Sequence, residues 1–294
     1  MQALILLALL SAQEPRLRVT QTDRIGVIVE NAYYRADLSK RVVNGVEEDN
    51  GTLRALTFKE FGVTLLRTQN RMHWAPSLQR AGARGYTSIG VWNPVQKFER
   101  LESEDAYILK REGYLQNYPE VRLEAEYAFQ AGVPYFLFRS VMTVEKPVEL
   151  YWVRNQEMTM DAFFTHVAWP GPDGRARIAT FDRRNEILER EPIPADTPWV
   201  CFVNLEKGYG YGAVVLDYKA TRTAGAAVTS INDGAGNGKY WDRRLINQVN
   251  TKVEPGERWE ERTAYLLFKA PSDAPVSDFL QWERKIRAAA GRRP

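Results

Sequence analysis

Alternation of apolar and polar residues with a period of two dominates this chain. Between residues 25 and 38 the apolar positions are Ile25, Val27 and Val29, then Tyr34, Ala36 and Leu38. This period is typical of a strand with one face on a core. Asn50-Gly51 indicates a tight hairpin turn, because both residues tolerate positive φ. We therefore predict two strands, a turn and a third strand between Ile25 and Phe58.

A second, longer hairpin is predicted between residues 121 and 144. Alternating residues run from Val121 to Phe129, and Ala131-Gly132 turns the chain into a strand that starts at Pro134. Further strands are predicted around residues 107–110, 149–154, 177–181, 199–205, 212–218, 226–231 and 263–268. Clusters of glycine and proline separate them.

Helical spacing is convincing only at the C-terminus. Between Pro275 and Ala290, residues at helix spacing are Val276, Phe279, Trp282 or Glu283, and Ile286. Ser272 or Asp273 is a candidate cap for that helix. The chain is therefore predicted to be all-β, a large antiparallel β-sandwich with a short C-terminal helix.

The first twelve residues form an apolar run that is too short for a membrane-spanning helix of roughly 20 residues. We expect residues 1–12 to be a secretory signal peptide, although they lack Lys and Arg, and the alternative is a buried N-terminal helix. Residues 13–294 are then one domain outside the cytoplasm, either periplasmic or secreted, with no membrane association after signal removal. Cys201 is the only cysteine, and its apolar neighbours predict a small buried residue.

Charge and ligand residues exclude several classes of protein. The formal charge of +3 is spread over 26% charged residues, without the basic stripe that nucleic-acid binders show. Two histidines without metal-ligand spacing predict no zinc site and no cofactor. A calcium site made of carboxylate and carbonyl oxygens stays open, since such ligands leave little trace in a sequence.

Three motifs carry a family resemblance. They are VIVENAYYRADLS followed by NGTLRALTF, THVAW around His166, and VEPGERWEERTAYLLF. In this order they resemble the galactose mutarotase-like superfamily, the β-supersandwich of sugar epimerases and of domains in polysaccharide lyases and glycosidases. The third motif is similar to the closing hairpin of that family. The resemblance implies a protein that handles sugars.

Two departures from the family bear on the reaction. The catalytic Glu that mutarotases carry some tens of residues before the Pro-Gly-Glu turn is missing, since Asp242 is the only acid between Gly236 and Lys252. Thr165 replaces the Asn that precedes the catalytic His in the family. Because epimerisation needs both a general acid and a general base, the resemblance favours sugar binding over simple aldose 1-epimerisation.

The candidate site residues are a histidine and arginine set with nearby aromatic residues. The catalytic candidates are His166, His73 and Tyr240, and the substrate-binding candidates are Asn70, Arg71, Trp74, Trp169 and Arg243. Imidazole exchanges protons near neutral pH, and a guanidinium fork binds carboxylates. Each candidate has a structural alternative: a hydrogen-bonded histidine, a surface ion pair, or cross-strand packing.

Three functions are consistent with these residues. The first is a secreted protein that binds acidic sugars or polysaccharide and processes them by lyase-type β-elimination. The second is a sugar epimerase of the aldose 1-epimerase type. The third is a non-catalytic carbohydrate-binding sandwich. The sugar and the oligomeric state are left open by the sequence.

Overall fold

The computed structural model describes residues 16–39, 41–43, 46–48, 52–65, 77–85, 92–115, 117–160, 163–181, 193–225, 229–233 and 239–291. These residues form twenty β-strands in four antiparallel sheets, one 3-10 helix (Lys59–Phe61) and one α-helix, α1 (Ser277–Ala290). Among them, no helix is long and apolar enough to cross a membrane.

The largest sheet has nine strands. From edge to edge they are β15 (Ala176–Thr180), β14 (His166–Pro170), β16 (Trp199–Asn204), β17 (Tyr209–Ala220), β20 (Arg258–Lys269), β12 (Tyr135–Val144), β11 (Tyr118–Gln130), β10 (Ala106–Leu115) and β9 (Trp92–Glu102). All the neighbouring strands pair antiparallel.

Three smaller sheets complete the described fold. The five-stranded sheet contains β1 (Arg18–Gln21), β2 (Val27–Glu30), β3 (Tyr34–Asp37), β6 (Ala55–Phe58) and β7 (Val63–Thr64). The four-stranded sheet has the order β18 (Thr229–Asp233), β19 (Lys239–Val253), β13 (Val148–Met160) and β8 (Ser77–Arg80). A separate hairpin pairs β4 (Arg41–Val43) with β5 (Val46–Glu48).

The main core lies between the nine-stranded sheet and the five- and four-stranded sheets. It joins residues of all three, such as Val29, Tyr127 and Trp241, in one buried apolar cluster. The ring centroids of Tyr34 and Phe129 lie 6.3 Å apart across the interface. Each strand contributes every second residue because successive side chains point to opposite faces. Burying one such side chain contributes about 1.5–3 kcal/mol.

Helix α1 covers part of the other face of the nine-stranded sheet. Phe279 packs on Trp199 and Phe268, with ring centroids 5.3 and 5.2 Å away. Gly212 permits this close approach, since a Cβ there would lie 2.6 Å from the Phe279 ring. Cys201 is buried beneath the helix, which confirms the prediction for that residue.

The all-β architecture with a C-terminal helix is confirmed. The predicted long hairpin is present, and its register runs from Val121 opposite Val144 to Phe129 opposite Phe136. The alternating stretch from Ile25 to Leu38 forms β2 and β3, which pair with each other. Asn50-Gly51 and residues 1–12 lie outside the described residues.

Two finer predictions were wrong. The strands on either side of Pro255-Gly256 do not form a hairpin, because β19 pairs in the four-stranded sheet and β20 in the nine-stranded sheet. The turn therefore carries the chain from one layer of the sandwich to the other. Neither Ser272 nor Asp273 caps the helix, which begins after Val276 without a side-chain cap. Asp278 in its first turn accepts a hydrogen bond from the backbone N–H of Lys269.

Candidate functional site

A charged cluster lies on the outer face of the four-stranded sheet, where β13 and β19 run side by side. Asp242 accepts a hydrogen bond from Arg154, with 3.2 Å between Nη1 and Oδ2. Its second oxygen lies 3.6 Å from Nε of Arg244. Both guanidinium groups lie over the indole of Trp152, at 5.9 and 5.4 Å from the ring. We call these four residues the Asp242 cluster.

Strand geometry explains why these side chains share a face. Asp242 and Arg244 are two residues apart in β19, so they project to one side, whereas Arg243 projects to the other. Arg154 lies directly opposite Arg244 in the register, and Ser77 at the start of β8 lies opposite Arg154 on its other side. Three neighbouring strands therefore meet at this position.

The charges of the four residues in the Asp242 cluster do not cancel one another. Burial raises the pKa of Asp242, while the charges of Arg154 and Arg244 oppose that rise. Two guanidinium groups and one carboxyl group leave at least one net positive charge, whether Asp242 is ionised or protonated. The side chains of Arg154 and Arg244 keep 13% and 22% of their surface exposed, so they are the accessible charged groups of the cluster.

A second polar group crosses the interior on the opposite face of β19. Arg243 donates from Nε and Nη2 to one oxygen of Glu261, at 2.9 and 2.6 Å. Asn155 donates to the other oxygen of Glu261 at 3.2 Å. Both charged side chains are fully buried, and Tyr218 stacks on the Arg243 guanidinium at 4.5 Å. Burial raises the pKa of Glu261, and Arg243 opposes that rise.

His166 lies in a different part of the molecule. It begins β14, where Val167 and Trp169 face the main core and Ala168 faces the side covered by α1. Alternation places His166 on the side of Ala168. Its Nδ1 lies 2.8 Å from Oγ1 of Thr165, and its Nε2 lies 3.2 Å from Oγ1 of Thr180. Burial lowers the pKa of His166.

The predicted site residues that the structure describes do not lie close together. Arg243 contacts the core-facing side of the nine-stranded sheet through Glu261, whereas His166 projects from the other side. Trp169 is buried in the core, which fits packing better than a sugar platform. Arg243, His166 and Trp169 therefore do not share one pocket.

Four further site candidates fall on a stretch without described structure. Asn70, Arg71, His73 and Trp74 lie outside the described residues. The next described residue is Ser77, which pairs with Arg154. Tyr240 belongs to β19, two residues before Asp242.

Two open grooves lie on the outer face of the nine-stranded sheet. Their volumes are about 350 and 440 Å³, and both are lined by Glu126 and Arg139. Ion pairs between neighbouring strands cover this face, such as Arg139 with Glu260 at 2.7 Å. A mutually neutralised, shallow surface of this kind is a weaker site candidate than the Asp242 cluster. Among the described residues, no group of three or more His, Cys, Asp or Glu could hold a metal ion.

Comparison with known proteins gives a fold relationship. No protein-family profile matches the chain, and no curated protein sequence does. Among solved structures, a galactose mutarotase-like protein from Lactobacillus casei aligns with a TM-score of 0.50 and 8% identity, over 82% of this chain and 99% of that chain. This chain has a galactose mutarotase-like fold.

A second solved structure extends the comparison. A TPR-domain containing protein from Parabacteroides distasonis aligns with a TM-score of 0.51 and 12% identity, over 86% of this chain. The chain spans 48% of the length of that protein. At these identities the likeness concerns the galactose mutarotase-like fold alone.

Sequence motifs predict the right fold but miss three residues of the Asp242 cluster, because they select Arg243 instead of its neighbour Arg244 and include neither Arg154 nor Trp152. Asp242 is the only acid between Gly236 and Lys252, whereas Arg154 and Trp152 carry no motif. Their shared outward alternation in the strand predicted around residues 149–154 was the available signal. It would have shown which face they occupy, but not which strand lies beside them.

Proposed function

We propose that the protein binds an acidic carbohydrate at the Asp242 cluster and cleaves it by β-elimination. The observation that carries this proposal is the pair of arginines on neighbouring strands, which flank one carboxyl group above an indole. Guanidinium groups bind carboxylates in a planar, bidentate manner. The galactose mutarotase-like fold supports a sugar as the ligand, and the positive charge supports an acidic one.

β-Elimination from a uronate needs three contributions. Arg154 and Arg244 would neutralise the uronate carboxylate, which makes the neighbouring C5 proton more acidic. A base takes that proton, the electron pair forms the C4–C5 double bond, and the C4–oxygen bond breaks. An acid then protonates the leaving oxygen. We assign the two proton transfers to His73 and Tyr240. His73 lies four residues before Ser77 in the sequence, and Ser77 pairs with Arg154. Tyr240 lies two residues before Asp242 in β19.

The same proposal includes the location of the protein. Residues 1–12 would act as a signal peptide, so that the protein meets polysaccharide outside the cytoplasm. Cleavage at that point can be checked by N-terminal sequencing of the mature protein from a secreting host.

The test is an assay of the full chain with uronate polysaccharides. Galacturonate, glucuronate and mannuronate polymers are each incubated with the protein, and ultraviolet absorbance reports the unsaturated product. Arg154→Ala and Arg244→Ala should each lower turnover at least tenfold. Arg177→Ala is the matched control, since Arg177 is a half-exposed arginine on β15. Folded wild-type protein without product on every polymer would contradict the lyase assignment.

A non-catalytic carbohydrate-binding function is the second candidate. The observation in its favour is the complete burial of Asp242, so that of the four residues in the cluster the two arginines and Trp152 are the ones a ligand can contact. This function predicts uronate affinity by calorimetry without any product. An epimerase would instead change the optical rotation of a fresh α-sugar.

A further inference from the structure

The interior of the sandwich contains an ion pair that links its two layers directly behind the Asp242 cluster. Arg243 extends from β19 and Glu261 from β20, and neither side chain has exposed surface. Asn155 on β13 holds the second oxygen of Glu261. The ion pair therefore fixes β13 and β19 of one layer to β20 of the other.

The backbone around this pair is irregular on both sides. The register of β13 and β19 shifts between Val153 and Arg154, and again between Asn155 and Met158. Only two consecutive residue pairs lie between these shifts, Arg154 with Arg244 and Asn155 with Arg243. A slip by one residue moves every side chain of a strand to the opposite face. Here such a slip would turn Asp242 and Arg244 inward.

Stacking further restricts Arg243. Its guanidinium lies 4.5 Å from the ring of Tyr218 and 5.6 Å from that of Trp241. An arginine that is ion-paired and stacked on aromatic rings has few alternative positions. Because Arg243 is fixed inward, its neighbours Asp242 and Arg244 are fixed outward.

We propose that Arg243 and Glu261 are positioning residues that set the specificity of the Asp242 cluster for acidic ligands. This proposal rests on the proposed function of that cluster. Buried ion pairs contribute little net stability compared with apolar residues of similar size, so stability gives little reason to retain this pair. The pair instead keeps the two arginines of the cluster side by side.

The decisive variant is the double substitution Arg243→Met with Glu261→Met in the full chain. We expect a melting temperature close to that of the wild type, together with at least a tenfold loss of affinity for galacturonate and glucuronate oligosaccharides. Hydrogen exchange of the β19 backbone amides should become faster, while that of β11 and β12 is unchanged. A folded double variant with wild-type affinity and wild-type exchange in β19 would overturn the proposal.

Two further measurements cover the remaining outcomes. If the double variant does not fold, Asn155→Leu is the milder test, because it removes the hydrogen bonds to Glu261 and Ser140 and leaves Arg243 and Glu261 in place. It should still weaken uronate binding and speed exchange in β19, and no change in either would overturn the proposal. If the wild type binds no uronate, the proposed function fails, and the exchange of β19 alone then decides whether the pair sets the register.

Discussion

Arg154 and Arg244 lie directly opposite each other on neighbouring strands, with both guanidinium groups over the indole of Trp152. Two like charges at opposed positions of a sheet repel each other. Asp242 contacts both groups and offsets that repulsion. Counted over these three groups, one positive charge remains, and the proposed function assigns it to the binding of a uronate carboxylate.

Asp242→Asn should therefore destabilise the fold. The amide removes the carboxylate charge that contacts both opposed guanidinium groups. We expect a loss of about 2 kcal/mol in the free energy of unfolding, which is below the roughly 3–5 kcal/mol for a fully buried ion pair because the partly exposed arginines recover some hydration. Urea denaturation measures the change. Asp217→Asn is the control, since Asp217 forms an exposed pair with Lys219 and should change stability by less than about 0.5 kcal/mol. Equal effects of the two substitutions would show that Asp242 does not offset the repulsion.

Salt should weaken uronate binding at the Asp242 cluster. Exposed charges are screened over about 8 Å at physiological ionic strength, so raising the salt concentration should lower the affinity for galacturonate oligosaccharides. Binding of a neutral oligosaccharide of the same length should respond much less. Calorimetry at several salt concentrations tests this. An affinity that is independent of salt would argue against arginine-mediated recognition.

Local patterns and cross-strand relationships differ in how well the sequence predicts them. The strand around Trp152 and Arg154 was predicted because alternation is a local property. The pairing of Arg154 with Arg244 depends on two register shifts and on residues ninety positions apart along the chain. No local pattern specifies such a pairing. The Asp242 cluster could therefore be recognised only once the strand register was known.

His166→Ala should leave the proposed uronate cleavage unchanged. His166 contacts Thr165 and Thr180 at the edge of the nine-stranded sheet, away from the Asp242 cluster. Loss of these hydrogen bonds should cost about 1 kcal/mol of stability, measured by urea denaturation. Thr180→Val removes one of the same contacts and should behave alike. A large loss of turnover in His166→Ala with little loss of stability would show that His166 takes part in catalysis.

Asp37 should make the protein sensitive to acid. Burial alone would raise the pKa of Asp37, but hydrogen bonds from Ser39 and Arg54 outweigh burial and lower it. The ionised Asp37 carboxylate therefore stabilises the fold fully above its unfolded pKa of about 3.9. This stabilisation is lost as the pH falls through the lower folded pKa. Asp37→Asn should lower stability near neutral pH and flatten its decline in acid. Exposed Asp173→Asn, measured over the same pH series, should retain the wild-type decline.

The turn at Pro255-Gly256 shows a limit of motif resemblance. A turn between two strands favours a hairpin, and no local pattern in the sequence indicates that β19 and β20 belong to different layers. The reason is that both strands pair with other strands. β20 lies between β12 and β17, and β19 lies between β13 and β18. With both edges of each strand occupied, the two strands cannot pair with each other.

Arg287 should anchor the C-terminal helix to the sandwich. Its guanidinium donates to the backbone carbonyl oxygens of Val215 and Pro198, each at 2.9 Å. Arg287→Ala should cost about 1–2 kcal/mol, because the two hydrogen bonds to these carbonyls and the ion pair with Glu283 are lost from a side chain that is only partly buried. Arg284→Ala is the matched control, since Arg284 lies in the same helix and is exposed.

Urea denaturation and hydrogen exchange together test the role of Arg287. The helix covers a distinct apolar cluster that contains Phe279 and Ile286, so a weakened anchor should let it open locally before global unfolding. Amides of α1 should then exchange faster in Arg287→Ala than in Arg284→Ala, while those of β11 and β12 stay protected. Equal exchange of α1 in the two variants would mean that Phe279 and Ile286 hold the helix without help from Arg287.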